Sequence, residues 1–271
     1  MRLLHPKNNR GVALLIVLLV TALLIALVFE FSYATRISLN SAANFRDSQR
    51  AYFLALSGIN AFRGSSGSTL RQYIPVGEWK PVPLIEGVTV MWEDESGKIR
   101  VNDVKSYKGP QSMVARLFEN KQIDAAVYRS MSDPQSKINT LTLLTGLRQY
   151  MSAQDFDKVR NSLTVSPVTR DKININTASS DVLQSMRISA DLAEMIVKER
   201  LNNPYTAADL TTTGRLAMLS GTSIENLNIF SYLTDKSSGY YKVYASAMVG
   251  DYNKTIEAIV NGSTVYYWKE L

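Results

Sequence analysis

The sequence predicts an α+β protein: one long N-terminal helix packed on an antiparallel sheet, with an all-α domain inserted within the chain that builds the sheet. Three observations predict it. A stretch from Glu30 to Phe62 has no proline, and no glycine before Gly58, and follows directly on an uncharged apolar run. Two regions, 88–102 and 240–268, alternate in the manner of strands. Between them the texture is helical and carries an internal repeat.

The long helix comes first. Residues 12–29 read VALLIVLLVTALLIALVF, and fourteen of these eighteen are Leu, Ile, Val or Phe. At roughly 0.3–0.6 kcal/mol each near a helix centre, they favour membrane insertion by about 4–8 kcal/mol. As a helix the run spans about 27 Å, enough for a hydrocarbon core. Arg2, Lys7 and Arg10 precede it, so the positive-inside rule leaves the head in the cytoplasm and exports the rest. Beyond Phe29, apolar residues recur at helical spacing as a stripe of Phe31, Ala34, Ala42, Phe45, Tyr52, Leu56 and Ile59, with Arg36, Arg46, Asp47 and Arg50 between them. One helix over 12–62 would be about 76 Å long. The stripe has two uses, packing on partner helices or on the protein's own sheet. The Gly/Ser-rich stretch after Arg63 ends the helix.

Composition bounds the chemistry. Of 30 basic and 24 acidic residues, three basic ones lie in the head, which leaves 27 against 24 and a mixed, solvated surface. Cysteine is absent and the single histidine, His5, lies in the head. That excludes Ser-His and Cys-His catalysis and the usual zinc ligand sets. There is no S-x-x-K either, so no enzyme is expected and no catalytic residue is assigned.

After the linker, Leu70 to Ile74 reads equally as strand or helix. Pro75, Pro81 and Pro83 argue against regular structure up to about Leu84. Residues 88–93 and 98–102 read as a hairpin across Asp94-Glu95-Ser96-Gly97. The acidic turn Glu93-Asp94-Glu95 reads as solvent-facing, because the 12-residue calcium-loop pattern is missing. From 103 to 236 a helical domain is expected, with Ile138-Asn139-Thr140 and Ser152-Ala153 recurring as Ile175-Asn176-Thr177 and Ser189-Ala190. The units run over about 138–163 and 175–201. Each reads as two helices joined by a turn, the second helix capped by serine, with capping boxes at Ser152/Asp155 and Thr206/Asp209. The chain closes with strands at 240–249, 254–260 and 263–268, joined at Gly250–Asn253 and Asn261-Gly262. On this reading residues 63–102 and 237–271 build one α+β domain around the insertion.

A short basic leader ending in glycine, an apolar run starting at the next residue, and one long helix leading into a globular domain resemble the type IV pilin-like family. The resemblance implies that residues 1–11 are a cytoplasmic leader, cut by a prepilin peptidase at Gly11–Val12, that the new terminus is methylated, and that the apolar segment is kept. Most of the family carries glutamate at the fifth mature position; here that position is Ile16. A carboxylate in hydrocarbon is costly without a partner, so an apolar residue suits a subunit with no neighbour beyond it. With F-S-Y-A-T-R, A-A-N-F-R-D and A-Y-F-L-A-L-S-G-I-N, residues 10–62 are similar to the protein K subfamily, the minor pseudopilins at the tip of type II secretion pseudopili.

That resemblance implies assembly with other minor pseudopilins, an inner-membrane anchor and a periplasmic domain. Calcium occurs in the subfamily, but no ligand matches residue by residue, so no cofactor or metal is assigned. Residues 176–179, 196–200 and 204–210 also resemble a helix-hairpin-helix unit. Its hairpin, normally Gly-x-Gly, is Met186-Arg187-Ile188, which keeps a backbone from approaching phosphate closely, so nucleic acid is not an expected partner. Two other readings stay open: a membrane-anchored helix-hairpin-helix DNA-binding protein of a competence or pilus machine, and an exported protein released after Ala34, where Ser32-Tyr33-Ala34 fits a signal-peptide cleavage site.

Overall fold

The computed structural model describes residues 10–64, 67–83, 85–105, 108–168, 172–220 and 229–271. The basic head at 1–9, with His5, and Ser65-Ser66 of the linker lie outside them.

Helix α1 runs over Arg10–Arg63, 54 residues without a break. At 1.5 Å per residue it is about 81 Å long. Its uncharged run is long and apolar enough to cross a membrane. Within that run the Thr21 hydroxyl donates to the Leu18 carbonyl at 2.9 Å, so its one side-chain polar group is satisfied inside the helix. A second helix, α2 (Gly67–Tyr73), settles the open reading of 70–74 and takes in the end of the expected linker.

The sheet has five antiparallel strands in the order β1 (Lys80–Pro81), β2 (Val88–Asp94), β7 (Tyr240–Val249), β8 (Tyr252–Asn261) and β9 (Thr264–Glu270). Pro81 sits in the short edge strand β1, where a missing N–H is tolerated. Alternate residues Val88, Val90 and Trp92, then Val243, Ala245 and Ala247, then Ile256, Ala258 and Val260 are buried on one face. The C-terminal half of α1 covers that face, and together they form one hydrophobic core. The first turn is tighter than expected and the second is shifted by one residue. Val249 pairs Tyr252 across Gly250-Asp251, and Asn261 pairs Thr264 across Gly262-Ser263, each with its glycine at positive φ.

The hairpin expected over 88–102 does not form. β2 pairs with β1 on one side and β7 on the other, so both its edges are taken. The following strand β3 (Ile99–Arg100) instead pairs in parallel with β4 (Leu163–Thr164). A second short parallel pair joins β5 (Ile173–Asn174) to β6 (Leu233–Thr234). These two ladders lie inside the helical part of the chain, which also holds α3 (Lys108–Asn120), α4 (Ala125–Ser132), α5 (Ala153–Val159), α6 (Ser180–Ser185), α7 (Ala190–Glu199) and α8 (Arg215–Ser220). A second hydrophobic core, from Ile99 to Leu233, is contained there. It is built from amphipathic faces such as Met113, Val114, Leu117 and Phe118 of α3.

The two repeated units share caps and core positions rather than helix type. Ser152 and Ser189 each accept a backbone N–H three residues on, and Ile138 and Ile175 are both buried. The first unit, however, opens with a 3-10 segment at Leu144–Gln149 where the second has α6. In the Ser152 box, the Asp155 carboxylate accepts from the serine hydroxyl at 2.8 Å rather than from the Ser152 backbone N–H. At Thr206, the Asp209 carboxylate does accept the backbone N–H, at 2.8 Å, over the 3-10 turn Ala207–Leu210.

Candidate functional site

The expected site residues on α1 fall into two groups. Gly11, Val12 and Ile16 lie in the exposed apolar part of the helix, and among the described residues a Cβ added at Gly11 would meet nothing beyond its own helix within 4 Å. Further along, Phe31 (75% exposed), Ala34, Ala42 and Phe45 (68% exposed) are exposed among the described residues. Tyr52 and Leu56 are half-buried, and Ile59 is 2% exposed against the sheet. The stripe is thus divided near residue 50: its last three members serve the protein's own core, and the first four face outward.

What seats α1 on the sheet is a row the sequence reading missed: Ala51, Ala55, Gly58 and Phe62, all buried with Ile59. Small residues spaced three to four apart were the available signal. A Cβ at Gly58 would come within 2.8 Å of Val88 Cγ1 and 3.0 Å of Ala245 Cβ, so the helix lies as close to β2 and β7 as a glycine permits. Phe62 then meets Trp92 and Tyr241, with ring centroids 5.9 Å away in each case. The Trp92 indole N–H is satisfied by the Ile74 carbonyl at 2.8 Å, tying α2 to the same core.

The acidic turn is not solvent-facing. Asp94 and Glu95 are each 3% exposed, because the helical domain closes over them. Asp94 Oδ1 accepts the Ser96 N–H and the Ser237 hydroxyl, both at 3.0 Å. Its Oδ2 accepts the Asn174 amide at 2.8 Å and the Thr177 hydroxyl at 3.1 Å. One carboxylate at the end of a sheet strand therefore gathers two segments far away in sequence, 174–177 and Ser237. Glu95 binds the Lys98 ammonium at 2.7 Å and accepts the hydroxyls of Thr164 and Ser166, while Lys98 also reaches Glu93 at 2.5 Å. Gly97 is needed at this junction: a Cβ there would fall 2.7 Å from the Thr177 backbone carbon.

The electrostatics of this cluster are those of a buried, compensated pair. Burial pushes the Glu95 carboxyl up, but the Lys98 charge and the bonds from Lys98 and Thr164 outweigh it and hold the group below its ordinary range. Burial likewise lowers Lys98, and the charges of Glu95 and Glu93 reverse that and raise it. This arrangement does not fit calcium. The Lys98 ammonium already lies between Glu93 and Glu95, and both Asp94 oxygens are taken by hydrogen-bond donors. Among the described residues no group of three or more His, Asp or Glu side chains is placed to hold a metal ion.

The helix-hairpin-helix-like unit is pinned as scaffold. Arg200 donates to the Ile175 and Ala178 carbonyls, each at 2.6 Å, and burial lowers its pKa to about 10. Asn176 exchanges two bonds with the Tyr205 backbone, at 2.8 and 2.7 Å. The Arg215 guanidinium stacks 4.1 Å over the Tyr205 ring. In the hairpin, Met186 and Ile188 are buried and Arg187 stands outward with φ of 70°. Buried apolar side chains occupy the places where glycines would open the backbone to a phosphate.

No family model matches the chain, and no curated protein sequence matches it significantly. Among solved structures it is similar to a chain in the crystal structure of the GspK-GspI-GspJ complex from the enterotoxigenic Escherichia coli Type 2 Secretion System. The identity is 16% and the TM-score 0.52, over 87% of this chain and 98% of that one. What the two share is a fold. A long N-terminal helix laid on an antiparallel sheet, with further helices, makes this protein α+β and pseudopilin-like in fold, as its sequence predicts.

Proposed function

We propose that the chain is a minor pseudopilin of a type II secretion system, of the protein K kind, which initiates or caps the tip of a periplasmic pseudopilus and assembles there with other minor pseudopilins. The observation that carries this reading is α1 itself. Residues 12–29 are uncharged and exposed on every side among the described residues, while the last turns of the helix, from Ala51 to Phe62, are packed into a head with a pseudopilin-like fold. So much exposed apolar surface requires a bilayer, then partner helices.

On this reading residues 1–11 are removed by a prepilin peptidase on the cytoplasmic face, and Val12 becomes a methylated N-terminus. The 12–29 segment stays in the inner membrane until assembly, with the head in the periplasm. Ile16 supports a tip position, because a subunit with no neighbour above it has no amine to pair with a buried carboxylate. Phe31, Ala34, Ala42 and Phe45 supply the surface for partner helices. The chain performs no chemistry of its own and is a substrate of the peptidase.

The N-terminal sequence of the mature protein tests this. Val12 is the expected first residue, and Gly11→Ala should leave the leader attached and stop assembly. A mature terminus at Thr35 overturns the reading in favour of a cleaved signal peptide, and normal processing of Gly11→Ala overturns the cleavage assignment.

A further inference from the structure

A recess of about 180 Å³ lies between α3 and the α6–α7 hairpin, lined by Ser112, Met113, Arg116, Met186, Arg187, Ile229 and Tyr232. Its lining comes from α3, the α6–α7 hairpin and the segment at Ile229–Tyr232, with no residue of α1 or of the five-stranded sheet. Two arginines meet there. Arg116 is held in place: its Nε donates to the Ser185 carbonyl and its Nη2 to the Ser112 hydroxyl at 3.2 Å. Those two bonds fix the guanidinium of Arg116 at the wall of the recess. Burial first, and then the charge of Arg187, hold Arg116 below the ordinary guanidinium range, so the two cations act on one another. Glu119, one turn on in α3, opposes this only at longer range and forms no ion pair with either arginine among the described residues.

Arg187 adds a second oddity. It occupies left-handed backbone, φ 70°, in the hairpin turn, a conformation in which glycine is free and arginine is strained. Among the described residues it has no carboxylate partner. Two cations on one recess, with no carboxylate ion-paired to either among the described residues, favour an anion placed between them.

We propose that this recess binds a divalent oxyanion of the phosphate type through Arg116 and Arg187. Charge selects the class. Two guanidiniums are offset by a phosphate or phosphate monoester, which carries about −1.5 to −2 at neutral pH, whereas a carboxylate or a phosphodiester brings a single charge. The planar forks of two arginines suit the several oxygens of such a group. The source is either free inorganic phosphate or the headgroup of phosphatidic acid.

The test uses the full chain in phosphatidylcholine bilayers, with thermal unfolding as readout. Inorganic phosphate should raise the midpoint by several degrees over acetate at equal ionic strength. Arg187→Gln should abolish that rise. Arg187→Gly should raise the midpoint of the unliganded protein, by relieving the left-handed strain, and still abolish the response to phosphate, which separates loss of the site from loss of the fold. An Arg187-dependent rise with phosphatidic acid in the bilayer and none with free phosphate assigns the site to the lipid. A response to neither, or one that survives in Arg187→Gln, overturns the proposal.

Discussion

Asn174 donates its side-chain amide to Asp94 at 2.8 Å across a sequence separation of 80 residues, and this bond joins the end of a sheet strand to the helical domain. Ser237, a further stretch along the chain, meets the same carboxylate at 3.0 Å. The segments that leave and re-enter the sheet are thus fastened at one buried side chain.

Replacing that carboxylate should loosen the junction more than the sheet. Asp94→Asn keeps the shape but turns an acceptor into a donor facing the donors of Asn174, Thr177 and Ser237. The expected loss is about 2–4 kcal/mol, since buried donors are left unsatisfied. Denaturant unfolding gives the magnitude, and limited proteolysis should show new cleavage near residues 172–177 or 235–238 while α1 stays attached to the sheet.

The neighbouring pair predicts a pH profile. The Glu95 carboxyl lies below its ordinary value of 4.5 in the folded protein, so its contribution is complete above that pH and is lost as pH falls through the lower folded value. Lys98 lies above its ordinary 10.5, so its contribution is complete below that value and is lost as pH rises beyond it. Stability should therefore be flat between and fall at both ends. Glu95→Gln should flatten the acid limb and cost about 3 kcal/mol at neutral pH, because Lys98 keeps only Glu93. An unchanged acid limb in that variant contradicts the assignment.

Gly58→Leu should force α1 away from β2 and β7, since the space ahead of its Cα is already filled by Val88 and Ala245. Overpacking of this kind costs about 1–3 kcal/mol. A lowered unfolding midpoint with reduced near-UV signal from Trp92 would register it.

Phe45→Ser tests the outward half of the helix. Because Phe45 touches little in the chain, the isolated protein should unfold within about 0.5 kcal/mol of wild type. If the outward stripe is the partner surface of the proposed assembly, recovery of pseudopilin partners with the tagged chain should drop several-fold. Undiminished recovery would remove Phe45 from that surface.

Much of this was legible in the residues. The unbroken helix follows from a proline-free stretch, and a run long and apolar enough to cross a membrane from eighteen uncharged positions. Alternation and glycine turns define the strands after Tyr240, and Ser152 and Ser189 mark the helix starts. All of these are local: a residue and its neighbours within one turn or one pleat contain the signal.

The rest belonged to tertiary structure. Asp94-Glu95-Ser96-Gly97 has the composition of an exposed turn, and it is buried only because Asn174, Thr177, Thr164 and Ser237 arrive from elsewhere to satisfy its oxygens. Lys98 to Arg100 does not return along β2, because β7 has already taken that edge. The alanines and Gly58 of α1 read as filler until β2 and β7 lie against them. The sequence by itself determined a helix apolar enough for a membrane and the elements of a head. Tertiary structure decided where that helix stops being exposed and starts serving the core, near Ala51, because burial depends on partners that no local pattern contains.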